Sequence, residues 1–240
     1  MKQLMTLCLG LLLMTSANAQ FGKKKISGNG NLTTEERKTG SYDKIGVAGM
    51  FDVDLVSGKE GNISITAEEN LLEYIETEVQ GNLLKIKTQK GVNLRPHKKI
   101  VITVPFEDIS EVSLAGSGNI VGKDLIKAND FETNLAGSGD IDLFVETEDL
   151  ESNIAGSGDI KLRGKSNVYE GNLSGSGDID AYELITEDAE VSISGSGDIR
   201  LHCNQKLKAR VSGSGNVLYK GNPAKEDSKV SGSGKVETRG

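Results

Sequence analysis

Four aspartates recur in one local setting: Asp140, Asp159, Asp178 and Asp198 each follow a Gly-Ser-Gly triplet and precede an isoleucine. Carboxylates repeated in this way could do two kinds of chemistry. Stacked closely they could share a divalent cation, which wants several oxygen ligands; paired across a groove, two of them could act as acid and base on a glycosidic bond. If the copies stack at the ~4.8 Å spacing of β-strands, neighbouring charges repel by about 1 kcal/mol in water and about 3.5 kcal/mol at an effective dielectric of 20. Solvent screening or a bound cation must relieve such a column.

The other copies of the motif discriminate between these duties. The aspartate position holds Asn119 in the first copy, Asn216 in the sixth and Lys235 in the seventh. Asparagine keeps the oxygen that accepts a backbone N–H in a turn and drops the charge. A duty shared by Asp and Asn is a turn duty, so no catalytic, metal or cofactor residue is assigned, and a cation on Asp140, Asp159, Asp178 and Asp198 stands as the minor alternative. His97 and His202 are the two histidines. His202 alternates outward between Leu201 and Cys203 and reads as a surface residue, while Cys203, aligned with Val145 of another copy, reads as core. No triad or metal-ligand spacing emerges. A phosphate cradle would need a helix after the glycines, and a strand follows every triplet.

The elements that position these residues are set by the repeat. Gly-Ser-Gly begins at Gly116, Gly137, Gly156, Gly175, Gly195, Gly213 and Gly232, with gaps of 21, 19, 19, 20, 18 and 19 residues. That period is too short for helical arrays or propeller blades, and the leucine skeleton of leucine-rich repeats is absent. Apolar residues alternate within each unit, as in Ile141, Leu143 and Val145, which is the period of a strand with one buried face. The spacing therefore predicts an all-β solenoid of about 19 residues per coil with parallel stacked strands. The structural turn residues are the paired glycines Gly116 and Gly118, Gly137 and Gly139, Gly156 and Gly158, Gly175 and Gly177, Gly195 and Gly197, Gly213 and Gly215, and Gly232 and Gly234, which let each coil bend at the same place. Like residues then form ladders: Asn134, Asn153 and Asn172 in one column, the triplet serines from Ser117 to Ser233 in another.

Ahead of Gly116 the triplet is missing, apart from a distant echo in Ser27–Asn31 (SGNGN). Irregular strands are expected at FDVDLVS, NISITA, NLLKIKT and KIVITVP, with a loop at Arg95–Lys99. Between them, TAEENLLEYIETEV places Leu71, Ile75 and Val79 at helical spacing, with Thr66 and Glu69 as a capping box, so one short helix is expected.

Residues 1–19 read as a signal peptide: Lys2, an apolar run from Leu4 to Met14, and Ala17-Asn18-Ala19 before the cut. The run is too short to span a membrane. Removing those 19 of 240 residues leaves 221, with 27 basic against 35 acidic side chains. An excess of eight negative charges argues against nucleic acid and anionic membranes as partners. Cys203 is then the sole cysteine, so no intrachain disulfide is expected. Residues 20–40 are expected as an N-terminal extension and residues 41–240 as one domain.

The ordered segments YDKIGVAGMFDVDLVSG, ISITAEENLLEYIETEVQGNLLKIKT and KIVITVPFEDISEVSLAGSGNI, followed by GSGDI repeats, resemble the head GIN domain of auto-transporter adhesins, an exported Bacteroidetes-type family. The resemblance runs from Ser41 to Gly240. It implies a right-handed parallel β-helix at the cell envelope. No membrane barrel of many ~10-residue alternating strands is expected in this chain, which argues against self-secretion.

The resulting expectation is a non-enzymatic exported module, in the periplasm, on the outer surface or secreted, with a protein or glycan ligand. The alternatives are a polysaccharide-active β-helix enzyme and a purely structural periplasmic protein. Sugar platforms favour exposed aromatic rings; with no Trp, only Tyr169, Tyr182 and Tyr219 qualify, and a plain surface stripe is preferred for them. The last coil carries Lys229, Lys235 and Arg239, so its open edge is expected either to be protected by charge or to be buried in a homo-oligomer.

Overall fold

Residues 23–239 are described by a computed structural model; the expected signal peptide lies outside them. The strands are β1 (Lys24–Ser27), β2 (Leu32–Lys38), β3 (Lys44–Gly49), β4 (Asp52–Ser57), β5 (Asn62–Glu68), β6 (Ile75–Gln80), β7 (Leu83–Thr88), β8 (Val92–Arg95), β9 (Val101–Phe106), β10 (Glu111–Gly116) and β11 (Asn119–Lys127). They continue as β12 (Asp130–Gly137), β13 (Asp140–Gly156), β14 (Ile160–Gly175), β15 (Ile179–Gly195), β16 (Ile199–Gly213), β17 (Val217–Lys220), β18 (Lys225–Gly232) and β19 (Val236–Thr238). Among β10 to β19 every pairing is parallel and joins residues 17 to 21 apart, so the chain is a β-solenoid of about seven turns.

Alternation builds the core. In β13 the residues Ile141, Leu143, Val145, Leu150 and Ile154 point inward and are buried, while Asp142, Glu146, Glu151 and Asn153 point outward. Consecutive outward pairs break the alternation at Glu148–Asp149 and Asn167–Val168, and the Gly-Ser-Gly corner breaks it again. Differences in coil length enter elsewhere, at register shifts between Val121 and Leu125 and between Ala181 and Ile185. The glycine corner therefore keeps perfect register whatever the length of the coil.

The expected irregular start of the domain contains an eighth corner. Ala48, Gly49 and Asp52 stack in register with Ala115, Gly116 and Asn119. Here Met50 and Phe51 stand where later coils have Ser and Gly, and the Phe51 ring is fully buried under Gly49. β7 and β9 lie against the other side of β3 and β4, so this coil is sandwiched between neighbours distant in sequence. β5, β6 and β2 then close this end with antiparallel pairings. The segment ahead of Ser41 takes part, since β2 pairs with β5 along its whole length and β1 pairs with β8 in a separate two-stranded sheet.

The expected helix shrinks to one 3₁₀ segment, Glu69–Tyr74, whose Leu71 and Leu72 plug the end of the core. The capping box does not form: Thr66 lies in β5 with its hydroxyl on that of Thr34, and the residue preceding the helix is Glu68, without a side-chain cap. Ile75, Thr77 and Val79 are β-branched at alternate positions and pair with β7, and that pairing outweighs the helical spacing of Leu71, Ile75 and Val79.

Candidate functional site

At the repeated corner the first glycine of each triplet has positive φ, for example 131° at Gly137 and 149° at Gly156. The second glycine is required for a different reason. A Cβ on Gly158 would stand 1.9 Å from the carbonyl oxygen of Gly139 in the coil before it. A Cβ on the first glycine would strike in the same way, 2.1 Å from the Gly137 oxygen at Gly156, so the first glycine answers to conformation and space together and the second to space alone.

The aspartates follow, and each reaches to the next coil. Asp140 Oδ1 accepts the backbone N–H of Asp159 at 3.1 Å, Asp159 Oδ1 that of Asp178 at 2.8 Å, Asp178 Oδ1 that of Asp198 at 2.8 Å, and Asp198 Oδ1 that of Asn216 at 2.8 Å. Asn119 serves Asp140 in the same way at 3.3 Å. The carboxylate takes over from a main-chain carbonyl just where the turn carries the carbonyls out of register. Part of the repulsion is met by Arg200, 3.1 Å from Asp178 and 3.6 Å from Asp198. Among the described residues no three His, Cys, Asp or Glu side chains converge as metal ligands do.

A second ladder shows in the sequence only as its asparagines. Asn153 Nδ2 donates to Asn134 Oδ1 at 3.0 Å, and Asn172 Nδ2 to Asn153 Oδ1 at 3.1 Å. The same amides, with that of Asn134, donate to Glu132, Glu151 and Glu170 of their own coils at 2.8, 2.9 and 3.1 Å. Those glutamates belong to an outward column running Glu111, Glu132, Glu151, Glu170, Glu190, Lys208 and Asp227. Lys44 begins it, 2.9 Å from Glu111, and holds that carboxyl below the usual range against the opposing effect of desolvation. The signal in the sequence is the spacing Glu-x-Asn in three successive coils.

The remaining candidates sit as follows. His202 points outward, half-buried, between Leu201 and Cys203. His97 lies in the Arg95–Lys99 loop, its backbone N–H donating to Glu68. Cys203 is buried, but its column is Thr147, Ser166 and Thr186 rather than Val145, because the register shift at Tyr182–Leu184 moves it. The hydroxyls and the thiol of this column all satisfy main-chain carbonyls. Thr147 donates to Asn129 O at 2.6 Å, Ser166 to Val168 O at 2.6 Å, Thr186 to His202 O at 2.7 Å and Cys203 to Lys206 O at 3.0 Å. Burial pushes the Cys203 thiol pKa up.

The three tyrosines do not form one surface stripe. Tyr169 is fully buried, its hydroxyl 2.8 Å from that of Ser152, with Gly171 leaving room for it. Tyr219 continues the inward column of Leu201 and gives its hydroxyl to Glu226 at 2.8 Å. Glu226 in turn stands in the inward column of Leu207, so this bond closes the far end of the core with polar groups. Tyr182 is half-buried, with the Lys220 ammonium 4.5 Å above its ring.

One buried carboxylate has no counterpart among the sequence candidates. Glu68 is fully buried and accepts the backbone N–H groups of Gly30 at 2.6 Å, His97 at 2.8 Å and Lys98 at 3.3 Å. Desolvation pulls its pKa upward, but the three N–H donors and the nearby His97 together hold it below the ordinary glutamate value. A Cβ on Gly28 would fall 2.0 Å from its Oε2. Ser27–Asn31 is therefore no coil corner; it is the strap that Glu68 fastens.

A stack of glycine corners bearing side-chain ladders, closed by a 3₁₀ plug at one end, defines a β-solenoid head. The family described as "Putative auto-transporter adhesin, head GIN domain" matches residues 41–223, and the chain belongs to that family. Among solved structures, a "putative adhesin" from Bacteroides fragilis is similar over 89% of this chain and 100% of its own, with a TM-score of 0.84 at 23% identity. A "putative lipid binding protein" from Parabacteroides distasonis has 31% identity and a TM-score of 0.76, covering 90% and 100%. A "putative adhesin" from Parabacteroides merdae has 25% identity and a TM-score of 0.73 over the same shares. No curated protein matches the chain. Among the described residues no helix is long and apolar enough to cross a membrane.

Proposed function

We propose that this protein is a non-enzymatic, exported interaction module of the cell envelope that engages a protein or glycan through the long faces of its solenoid. The observation that carries the reading is the column of five glutamates from Glu111 to Glu190, one per coil, with an amide ladder beside three of them. A surface that repeats one group at a fixed ~4.8 Å step suits an extended or repetitive partner better than a compact small molecule. Membership of a family of adhesin heads supports the same reading. The aspartate corners then serve as construction, and a cation on Asp140, Asp159, Asp178 and Asp198 stays the minor alternative.

Two measurements test it. Protease treatment of intact cells establishes whether the protein faces outward, and a protein sealed in the periplasm cannot be an adhesin. Incubation with envelope polysaccharides, assayed for binding and for new reducing ends, separates a binder from an enzyme; released ends would overturn the non-enzymatic reading.

A further inference from the structure

The charge of the chain is divided along the stack. Strands β10 to β15, residues 111–195, carry 18 acidic side chains against 5 basic, whereas residues 199–239, which form the last two coils, carry 9 basic against 3 acidic. The reversal runs column by column at matched outward positions. Asp188 is followed by Lys206 and Lys225, Glu190 by Lys208, Ser192 by Arg210 and Lys229, and Asp180 by Arg200. After the corner, Asp198 and Asn216 give way to Lys235. The excess of eight negative charges over residues 20–240 therefore conceals a basic end.

Where the two regions meet, the cations are paired. Arg200, Lys206 and Lys208 reach back to Asp178, Asp188 and Glu190 of the coil before, at 3.1, 2.6 and 2.5 Å. One coil further on, Lys220, Lys225, Lys229 and Arg239 make no ion pair among the described residues, and the last three are exposed. Together with Lys235 they go round the coil. Lys220 and Lys225 flank the turn at Gly221, Lys229 and Lys235 flank the Gly-Ser-Gly corner, and Arg239 follows Thr238, which pairs with Tyr219 beside Lys220.

We infer that this basic end docks on an anionic lipid surface, on which the solenoid stands end-on. A linear polyanion would lie along one face, whereas cations on every side of one coil are met together only by a surface facing the end of the stack. Distance decides the sign of the interaction. Coils step by ~4.8 Å, so the nearest carboxylates before the two basic coils lie ~10 Å from the last one, and at 0.15 M salt charges are screened over about 8 Å. The lipid then attracts the cations and scarcely meets the acidic bulk of the stack. At 0.01 M the screening length is about 30 Å, comparable to the acidic coils together, and the net negative charge prevails. The glutamate column from Glu111 to Glu190 stands clear of the lipid, so this docking leaves the ligand face open and does not rest on it.

Cosedimentation of the purified protein with vesicles is the test. Vesicles of phosphatidylcholine with phosphatidylglycerol should carry the protein down at 0.15 M salt, vesicles of phosphatidylcholine alone should not, and binding should be weaker both at 0.01 M and at 1 M. That rise and fall needs no variant. Lys225→Glu with Lys229→Glu should weaken binding about tenfold or more. Lys59→Glu with Lys90→Glu makes an equal change of charge at exposed positions towards the other end of the stack and should leave binding at 0.15 M unchanged. Melting temperatures taken alongside separate a lost contact from a lost fold, and Lys225→Gln with Lys229→Gln is the milder substitute. Absence of binding to the anionic vesicles, equal losses from the two pairs of variants, or binding strongest at 0.01 M would overturn the inference. Displacement by a soluble acidic polysaccharide or by inorganic phosphate at matched ionic strength would overturn the assignment to a lipid surface.

Discussion

Asp159 Oδ1 accepts the backbone N–H of Asp178, one coil further along the stack, at 2.8 Å. The geometry separates acceptor from charge. Asp159→Asn keeps the oxygen and removes a neighbouring negative charge, so its urea midpoint should equal or exceed that of the parent. Asp159→Ala leaves the Asp178 N–H without its acceptor and should cost about 1 to 2 kcal/mol. Equal losses for both variants would mean that the charge itself is needed, as for a cation site, and added calcium should then raise the melting temperature of the parent.

The second glycine of each corner is a question of space. Gly158→Ala drives a methyl into the Gly139 carbonyl, where only backbone can yield, and should cost about 3 kcal/mol or more. Gly81, at φ 65° with nothing near its missing Cβ, provides the comparison: Gly81→Ala should cost about 1 kcal/mol, for conformation alone. Chemical denaturation of the two variants reads the difference.

Buried hydroxyls couple Ser152, Tyr169 and Gly171. Tyr169→Phe strands the Ser152 hydroxyl and should cost about 1 to 2 kcal/mol, much of it recovered when Ser152→Ala is added. Gly171→Ala presses on the Tyr169 hydroxyl, 2.7 Å from the new methyl, so it should harm the parent more than the Tyr169→Phe protein. A double-mutant cycle with no coupling would refute the arrangement.

Acid should release the amino-terminal strap. The Glu68 pKa is lowered by folding, so its contribution is present above the unfolded value, about 4.3, and is lost as pH falls through the lower folded value. Amide protection relative to the intrinsic exchange rate at Gly30, His97 and Lys98 should be high near neutrality and fall as Glu68 takes up its proton, ahead of the β13–β16 core. In Glu68→Gln the same amides should exchange quickly already at pH 7. Protection unchanged by either treatment would show that β1 is held by other means.

Cys203 can be replaced by its column partners. Cys203→Ser keeps a donor for the Glu187 and Lys206 carbonyls, at 3.3 and 3.0 Å from the sulfur, and should alter stability by no more than about 1 kcal/mol. Cys203→Val should cost more, despite being the apolar choice. In the folded parent the raised, buried thiol should resist alkylation until the chain unfolds.

The solenoid is legible because its period is written in glycine, and glycine is retained wherever a Cβ would strike the coil before it. The first corner is hidden for the complementary reason. At Gly49–Asp52 no earlier corner lies in the way, so Phe51 can occupy the second-glycine position and fill the space with its ring; only Ala48, Gly49 and Asp52 remain to be recognised. Sequence spacing over-extends the helix because alternation and helical spacing coincide in Leu71, Ile75 and Val79, and pairing with β7 is a tertiary fact. Counting residues misaligns Cys203 because it cannot locate a bulge, and the shift at Tyr182–Leu184 moves the column from Val145 to Thr147. The aspartates read as turn residues in the sequence, but their partners lie a coil away, which no single corner could reveal. Glu68 resembles any surface glutamate until two loops are seen to converge on it.

The side-chain bonds of the corner all point one way: the oxygen belongs to the earlier coil and the N–H to the later one. A chain synthesised amino end first thus brings the corner N–H of each new turn to a socket already standing, while the isoleucine N–H of the standing turn takes the next aspartate carbonyl as it arrives, as Ile141 does with Asp159. The stack has a growing end as well as a shape, and assembly can advance in step with the arrival of the chain.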